Sequence, residues 1–129
     1  MSPRHIPATI HELHRCGLLA ELPGERMNEL ARRMSREEIA AGAAPIVQGE
    51  AGDRFYVVLS GIFAVSQYGV RGARSVLRPG DYFGEVALAM GIDRTASVRA
   101  MTPAVVASCD KVTFDEFIRP LFADDEADA

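Results

Sequence analysis

Between residues 37 and 109 the chain is a succession of short β-forming runs, each closed by glycine or proline. Ile39-Ala40-Ala41 and Pro45-Ile46-Val47-Gln48 read as two weak strands, and Gly49-Glu50-Ala51-Gly52-Asp53 as the turn after them. Arg54-Phe55-Tyr56-Val57-Val58-Leu59 is dense in aromatic and β-branched residues, which fit a pleated surface. Ser60-Gly61 breaks that run, Ile62 to Tyr68 starts another, and Gly69 to Gly72 forms a hairpin tip before Arg74-Ser75-Val76-Leu77 returns. Pro79-Gly80-Asp81 is a further turn, and Thr95 to Ala100 and Ala104 to Cys109 make the last pair. Many short strands at this spacing predict a sandwich or barrel.

The flanks are helical. Ile10, Leu13 and His14 suggest a first helix ending near Gly17. Pro23 suits the first turn of a second, along which Met27, Leu30, Ala31 and Met34 recur at three- and four-residue spacing. Glu29, Arg32, Arg33 and Arg36 are its wet face. Thr113 to Ile118 opens a final helix, with Asp110 or Thr113 as its cap and Pro120 near its end. The organisation expected is one domain: a helical segment over 1–36, a β-roll with its short C-terminal helix over 37–123, and an acidic tail over 124–129.

One stretch is written for a ligand rather than for packing. Asp81-Tyr82-Phe83-Gly84-Glu85-Val86-Ala87-Leu88 reads as a strand end, a glycine turn and a helix of a turn or two. Gly84 lets the backbone approach a partner closely. The first amides of a short helix, those of Glu85, Val86 and Ala87, lack intrahelical acceptors and are free for an anion. Arg94 returns from the far end of the loop with a planar fork suited to phosphate. Glu85 would repel an anion unless it accepts hydrogen bonds from ligand hydroxyls, so one phosphate beside a sugar hydroxyl would satisfy both side chains. The bland alternative is an ion pair between Glu85 and Arg94 under a tight loop, worth about 0–1 kcal/mol if exposed.

The run Phe83-Gly84-Glu85-Val86-Ala87-Leu88, a short loop, then Arg94-Thr95-Ala96-Ser97-Val98 resembles the phosphate-binding cassette of cyclic nucleotide-binding domains. That family includes the catabolite activator protein and the regulatory domains of cyclic-nucleotide-dependent kinases and channels. Gly49, Gly52, Gly61, Gly80 and Gly84 also fall where the family places glycine, so the resemblance covers about residues 10–120. It implies a mainly β fold with flanking helices: an eight-stranded jelly-roll barrel, N-terminal helices, a short phosphate-binding helix and a short C-terminal helix. It also implies a non-catalytic regulatory or sensor domain for cyclic AMP or cyclic GMP, with an effector domain in the same or another chain. Glu85 would take the ribose 2′-hydroxyl and Arg94 the cyclic phosphate. Phe83, Gly84, Val86, Ala87, Thr95 and Ala96 would complete the site, with no cofactor or metal. A threonine directly after the arginine bonds the guanine amino group in cyclic GMP-dependent kinases, so Thr95 tilts towards cyclic GMP while cyclic AMP stays open. The base would rest on barrel residues, with Val47, Val57, Ile62, Val76 and Leu77 the candidates. Asp93 departs from the proline of many relatives, and no segment after Pro120 matches the long lid helix of the family.

Composition closes other routes. A net charge of −4 gives no general grip on nucleic acid, and residues 111–129 cannot hold a helix-turn-helix. No run approaches the roughly 18 apolar residues of a membrane span. Met1-Ser2-Pro3-Arg4-His5 has no signal-peptide core, so a cytoplasmic location is expected, which also suits two reduced thiols at Cys16 and Cys109. His5, His11 and His14 all precede the β region, which leaves a metal-dependent barrel enzyme without ligands and the serines without a base. No phosphate-loop pattern of Gly-Lys-Ser type occurs. The competing function is a domain of the same shape without a ligand, attached to a channel, transporter or enzyme and docking a partner near Leu121 and Phe122.

Overall fold

The computed structural model describes residues 5–72 and 75–122. Arg74 at the hairpin tip and the acidic run of the last six residues, both singled out from sequence, lie outside the described residues.

Helix α1 (Ile10–Leu13) begins at a capping box, in which Thr9 accepts from the Glu12 amide and Glu12 accepts from the Thr9 amide. A 3₁₀ turn (Leu19–Glu21) leads into α2 (Gly24–Arg33), for which Pro23 is the N-cap. Strand β1 (Ser35–Ile39) follows, then β2 (Arg54–Ser60), β3 (Phe63–Ser66), β4 (Ser75–Leu77), β5 (Tyr82–Phe83), helix α3 (Glu85–Met90), β6 (Ser97–Ala100) and β7 (Ala104–Asp110). Helix α4 (Lys111–Thr113) runs into a π turn (Phe114–Ile118), and residues 119–122 stay helical. Asp110 caps α4 by accepting from the Thr113 amide at 2.9 Å.

All strand pairs are antiparallel. β1-β7-β2-β5 form one sheet and β4-β3-β6 a second. The described residues thus give a mainly β fold with flanking helices, but seven strands in two sheets rather than an eight-stranded closed barrel. Two sequence expectations account for the difference. The strand expected at Ile39–Ala41 lies earlier, at Ser35–Ile39, because the second helix stops at Arg33. The run Pro45–Gln48 contributes only a single bridge, Ile46 to Val98, since the Gln48 amide goes to Ser97 Oγ, the Gly49 amide to Arg94 O and the Glu50 amide back to Val47 O.

β2 separates two cores. Phe55, Val57 and Leu59 face the helices, packing with Leu13, Leu30, Met34, Phe114 and Ile118. Tyr56 and Val58 face the second sheet, packing with Phe63, Phe83, Val98 and Val106. With both faces covered, β2 reads as a continuous apolar run rather than an alternation. Leu121 and Phe122 also turn inward: Leu121 is buried, and the Phe122 ring meets Tyr82 at 6.0 Å and Phe114 at 6.4 Å. They are not the exposed docking surface anticipated above.

Candidate functional site

A cavity of about 260 Å³ opens between the three-stranded sheet and the β5–α3 corner. Register explains its apolar wall. Val65 stands opposite Ser75 on one side and Val98 on the other, and Val98 bridges to Ile46. Leu77 lies two residues further along β4, on the same face as Ser75. These five residues line the cavity. Of the candidates for a base platform, Leu77 alone belongs there. Val57 points into the helix-side core, Val47 and Val76 are exposed, and Ile62 precedes β3 outside the lining. Ile46 and Val65 were missed, although alternation from Leu77 through the β3–β4 hairpin marks Val65.

The polar end comes from the stretch 83–96. Phe83, Gly84, Glu85, Val86, Ala87, Arg94, Thr95 and Ala96, the eight residues chosen from sequence, all line this one cavity. Phe83 is buried, its ring stacked on Tyr56 at 4.8 Å and tilted against Phe63 at 5.4 Å, which anchors the corner where the chain leaves β5. Gly84 then takes φ 92°, a left-handed conformation that is strained for any other side chain, and starts α3.

Arg94 is 7% exposed. Its backbone is pinned to the turn before β2, the amide donating to Glu50 O and the carbonyl accepting from the Gly49 amide, both at 2.8 Å. Its guanidinium donates from Nη1 to Gly84 O and from Nη2 to Arg54 O, again at 2.8 Å each. The remaining N–H donors of the fork have no carboxylate: among the described residues no ion pair joins Arg94 to Glu85 or to any other acid. The bland pairing anticipated from sequence is therefore absent between these two side chains. Burial holds the Arg94 pKa below its ordinary value, although a guanidinium stays charged at any working pH. Glu85 is raised above the usual carboxylate range, chiefly by burial, against the opposing pull of its own amide and of Arg94.

Sequence reasoning did not single out Gly52 and Arg54 as site residues. Gly52 is where the guanidinium passes: a Cβ there would lie 2.8 Å from Arg94 Cζ and 2.6 Å from the Ala87 Cβ. Arg54 contributes its carbonyl, and its side chain bonds Ser108 Oγ at 3.0 Å. Thr95 is tied by its carbonyl, which accepts from Gln67 Nε2 at 2.9 Å. His5 sits far from the cavity in sequence and structure alike, between Ser35 Oγ and the Arg32 carbonyl.

What this arrangement can do chemically is hold a small anion that carries a hydrogen-bond donor on one side and an apolar group on the other. The buried cation faces the cavity, a carboxylate stands beside it, and aliphatic side chains form the far wall.

Comparison with known proteins agrees. Residues 36–120 match the family model described as cyclic nucleotide-binding domain. The chain is 39% identical over 104 residues to a cAMP-dependent protein kinase regulatory subunit of Yarrowia lipolytica, covering 81% of this chain and 28% of that protein. It superposes on the regulatory domain of Toxoplasma gondii protein kinase A, solved with cAMP, with a TM-score of 0.80 and 26% identity, over 93% of this chain and 49% of that one. It also superposes on the regulatory subunit of a cAMP-independent protein kinase A from Trypanosoma cruzi, solved with guanosine. That likeness has a TM-score of 0.81 and 25% identity, over 87% of this chain and 41% of the other. The chain spans less than a third of the length of the curated relatives it matches, between 16% and 28%.

Proposed function

Because the chain belongs to the cyclic nucleotide-binding domain family, we propose that its cavity takes a cyclic purine nucleotide and that the domain is a regulatory binding module, not an enzyme. The observation that carries this reading is the buried Arg94 guanidinium, which lines the cavity with donors to spare and, among the described residues, makes no ion pair with a carboxylate. A buried cation held by carbonyls but without a paired anion is costly, and an anionic ligand lowers that cost.

In the reading proposed, the cyclic phosphate docks on the outward donors of Arg94 and on the amides of Val86 and Ala87, which lie in the first turn of α3. Glu85 accepts from the ribose 2′-hydroxyl. The purine lies on Val65, Leu77, Ile46 and Val98, with Thr95 and Ala96 at its edge. Phe83 and Gly84 hold the corner that makes these approaches possible. Cyclic AMP is the first ligand to test, since the Yarrowia lipolytica relative is named for dependence on it, with cyclic GMP second on account of Thr95. The likeness to a structure solved with guanosine supports a second reading, in which the cavity holds an uncharged nucleoside. Arg94 separates the two, because a nucleoside leaves it unpaired.

Calorimetric titration of this chain with cyclic AMP, cyclic GMP and guanosine, beside Arg94→Ala, is the test. The expected result is binding of a cyclic nucleotide that Arg94→Ala weakens by about 30- to 4,000-fold, the range for losing one partner of a buried charged pair. Saturation at 100 times Kd also adds about 2.7 kcal/mol to stability, which a melting curve reads independently. Binding of guanosine alone, unaffected by Arg94→Ala, would favour the second reading. Silence with all three would leave a domain of this shape that serves as an interaction module.

A further inference from the structure

Thr95 is held by a side chain of the β3–β4 hairpin rather than by a strand ladder. The β3–β6 ladder ends at the pair Ser66–Ser97, so Thr95 and Ala96, the two residues before β6, lie outside it. Arg94, ahead of them, is fixed through its backbone to Glu50 O and the Gly49 amide, and Ser97, after them, through the ladder. Between these anchors Thr95 and Ala96 make one hydrogen bond among the described residues: the Thr95 carbonyl accepts from Gln67 Nε2 at 2.9 Å. Gln67 is the first residue past β3, where a side chain takes over from a ladder that has run out.

A second tie braces the same hairpin. The Tyr68 amide donates to Gln48 Oε1 at 2.8 Å, and the Gln48 amide donates to Ser97 Oγ at 2.9 Å. This tie ends on Ser97 and leaves Thr95 untouched, so the two are separable by substitution. What the Gln67 bond fixes has chemical content. Thr95 lines the cavity and Gln67 does not. The Thr95 hydroxyl has no hydrogen-bond partner among the described residues, and threonine is stiff at χ1, so the direction of that hydroxyl follows the backbone that carries it. A hydroxyl accepts from the amino group at C2 of guanine, where adenine carries only C–H, so an aimed hydroxyl favours one purine over the other.

We propose that Gln67 is a positioning residue that sets the site's choice of purine: by holding the Thr95 carbonyl, it holds the Thr95 hydroxyl where a guanine amino group reaches it. This rests on the cyclic-nucleotide reading above. Gln67 itself touches no ligand. Its effect passes through Thr95, and so falls on cyclic GMP rather than on the phosphate and ribose that both nucleotides share.

The test titrates the wild-type chain, Gln67→Met, Gln48→Met, Thr95→Val and the Gln67→Met, Thr95→Val double variant with cyclic AMP and cyclic GMP, with a melting curve of each to check its fold. Methionine matches the length of glutamine without its donor; Gln67→Ala repeats the comparison if the longer side chain prevents folding. Gln67→Met is expected to bind cyclic GMP about threefold to tenfold more weakly, the span of one neutral hydrogen bond, and cyclic AMP within about twofold of wild type. Thr95→Val should give the same bias, and the double variant no more than Thr95→Val alone, because the two residues act as one unit. Gln48→Met, which leaves Thr95 tied, should keep the wild-type ratio of affinities. An unchanged ratio in Gln67→Met overturns the proposal and leaves the ligand reading standing. So does an equal loss of both nucleotides, the mark of a merely structural tie, a Gln48→Met variant with the same bias, or a double variant whose bias combines those of the two single ones. A wild type that binds cyclic AMP alone overturns it as well. A wild type that binds neither nucleotide overturns the ligand reading and this proposal with it.

Discussion

Gly52 has no side chain at the point where the Arg94 guanidinium crosses the chain, and a Cβ built there would stand 2.8 Å from its central carbon. The same Cβ would stand 2.6 Å from that of Ala87, so the glycine is wedged between the cation and the helix that faces the cavity. Neither neighbour yields easily: Ala87 is fixed on α3, and Arg94 is fastened at both ends of its fork. Gly52→Ala should therefore overpack the corner by about 1–3 kcal/mol and push Arg94 off its carbonyls. A drop in the denaturation midpoint together with weaker nucleotide binding is the expected outcome; a variant unchanged in both would contradict the close approach.

Glu85 makes the stability of the unliganded protein depend on pH in a direction opposite to most carboxylates. Burial raises its pKa above the ordinary value, so the folded chain binds this proton more tightly than the unfolded chain does. The contribution is fully present below the unfolded value near 4.3 and is lost as pH rises through the raised folded value. At neutral pH the ionised side chain therefore costs stability, and Glu85→Gln should raise the Tm of the unliganded chain. That advantage should shrink as pH is lowered towards 4.3. The same substitution should weaken nucleotide binding by about 10- to 150-fold, the worth of a charge-assisted hydrogen bond. Melting curves of both chains across pH, with and without nucleotide, check the two signs together.

How much of this was legible in the sequence depended on the range of the interaction. The eight cassette residues could be chosen because they are contiguous or separated by one short loop, and they meet at one cavity. The apolar wall was legible only in part: Leu77 was among the candidates, but which of Val76 and Leu77 faces inward is fixed by register with β3, a long-range fact. Ile46 reaches the cavity through a lone bridge to Val98, which no periodicity announces. The count of strands failed at the same place, where a run with strand-like composition makes one bridge and then bonds to the Ser97 side chain and the Arg94 backbone. Gly52 was visible as a turn glycine, but the arginine passing over it, 42 residues later in the chain, was not. Pro120 was read as lying near the helix end, whereas residues 119–122 stay helical beyond the π turn Phe114–Ile118.

Asp110 starts the C-terminal helix. Its carboxylate accepts from the Thr113 amide at 2.9 Å, and those bonds from Thr113 hold its pKa below the ordinary value. Asp110→Ala should cost about 1 kcal/mol, the usual worth of such a cap, and Asp110→Asn much less. Since the folded pKa is depressed, the carboxylate's contribution is present above the unfolded value near 3.9 and lost as pH falls through the folded one. The gap in stability between wild type and Asp110→Ala should accordingly narrow below about pH 4, and a gap constant down to pH 2 would mean that the cap does not depend on charge.

Cys109 should report unfolding of the sheet that carries it. It lies on β7, paired with Phe55 of β2, and faces the helix-side core at 1% exposure. Burial pushes its thiol up to about 12, with Arg54 pulling weakly the other way. The thiolate is the reactive form, so at pH 8 the folded chain offers almost none of it, and no path for a reagent. Cys16 is buried as well, and its thiol is also raised, mainly by burial. A thiol reagent added to the native protein should label neither residue until denaturant opens the fold. The labelling midpoint should then coincide with loss of the secondary structure, because β7 is the strand that joins β1 to β2 and cannot open alone. Bound nucleotide should shift that midpoint upward with the logarithm of ligand concentration over Kd. Rapid labelling of Cys109 in the native state would show that β7 opens locally, and would place the four-stranded sheet among the softer parts of the molecule.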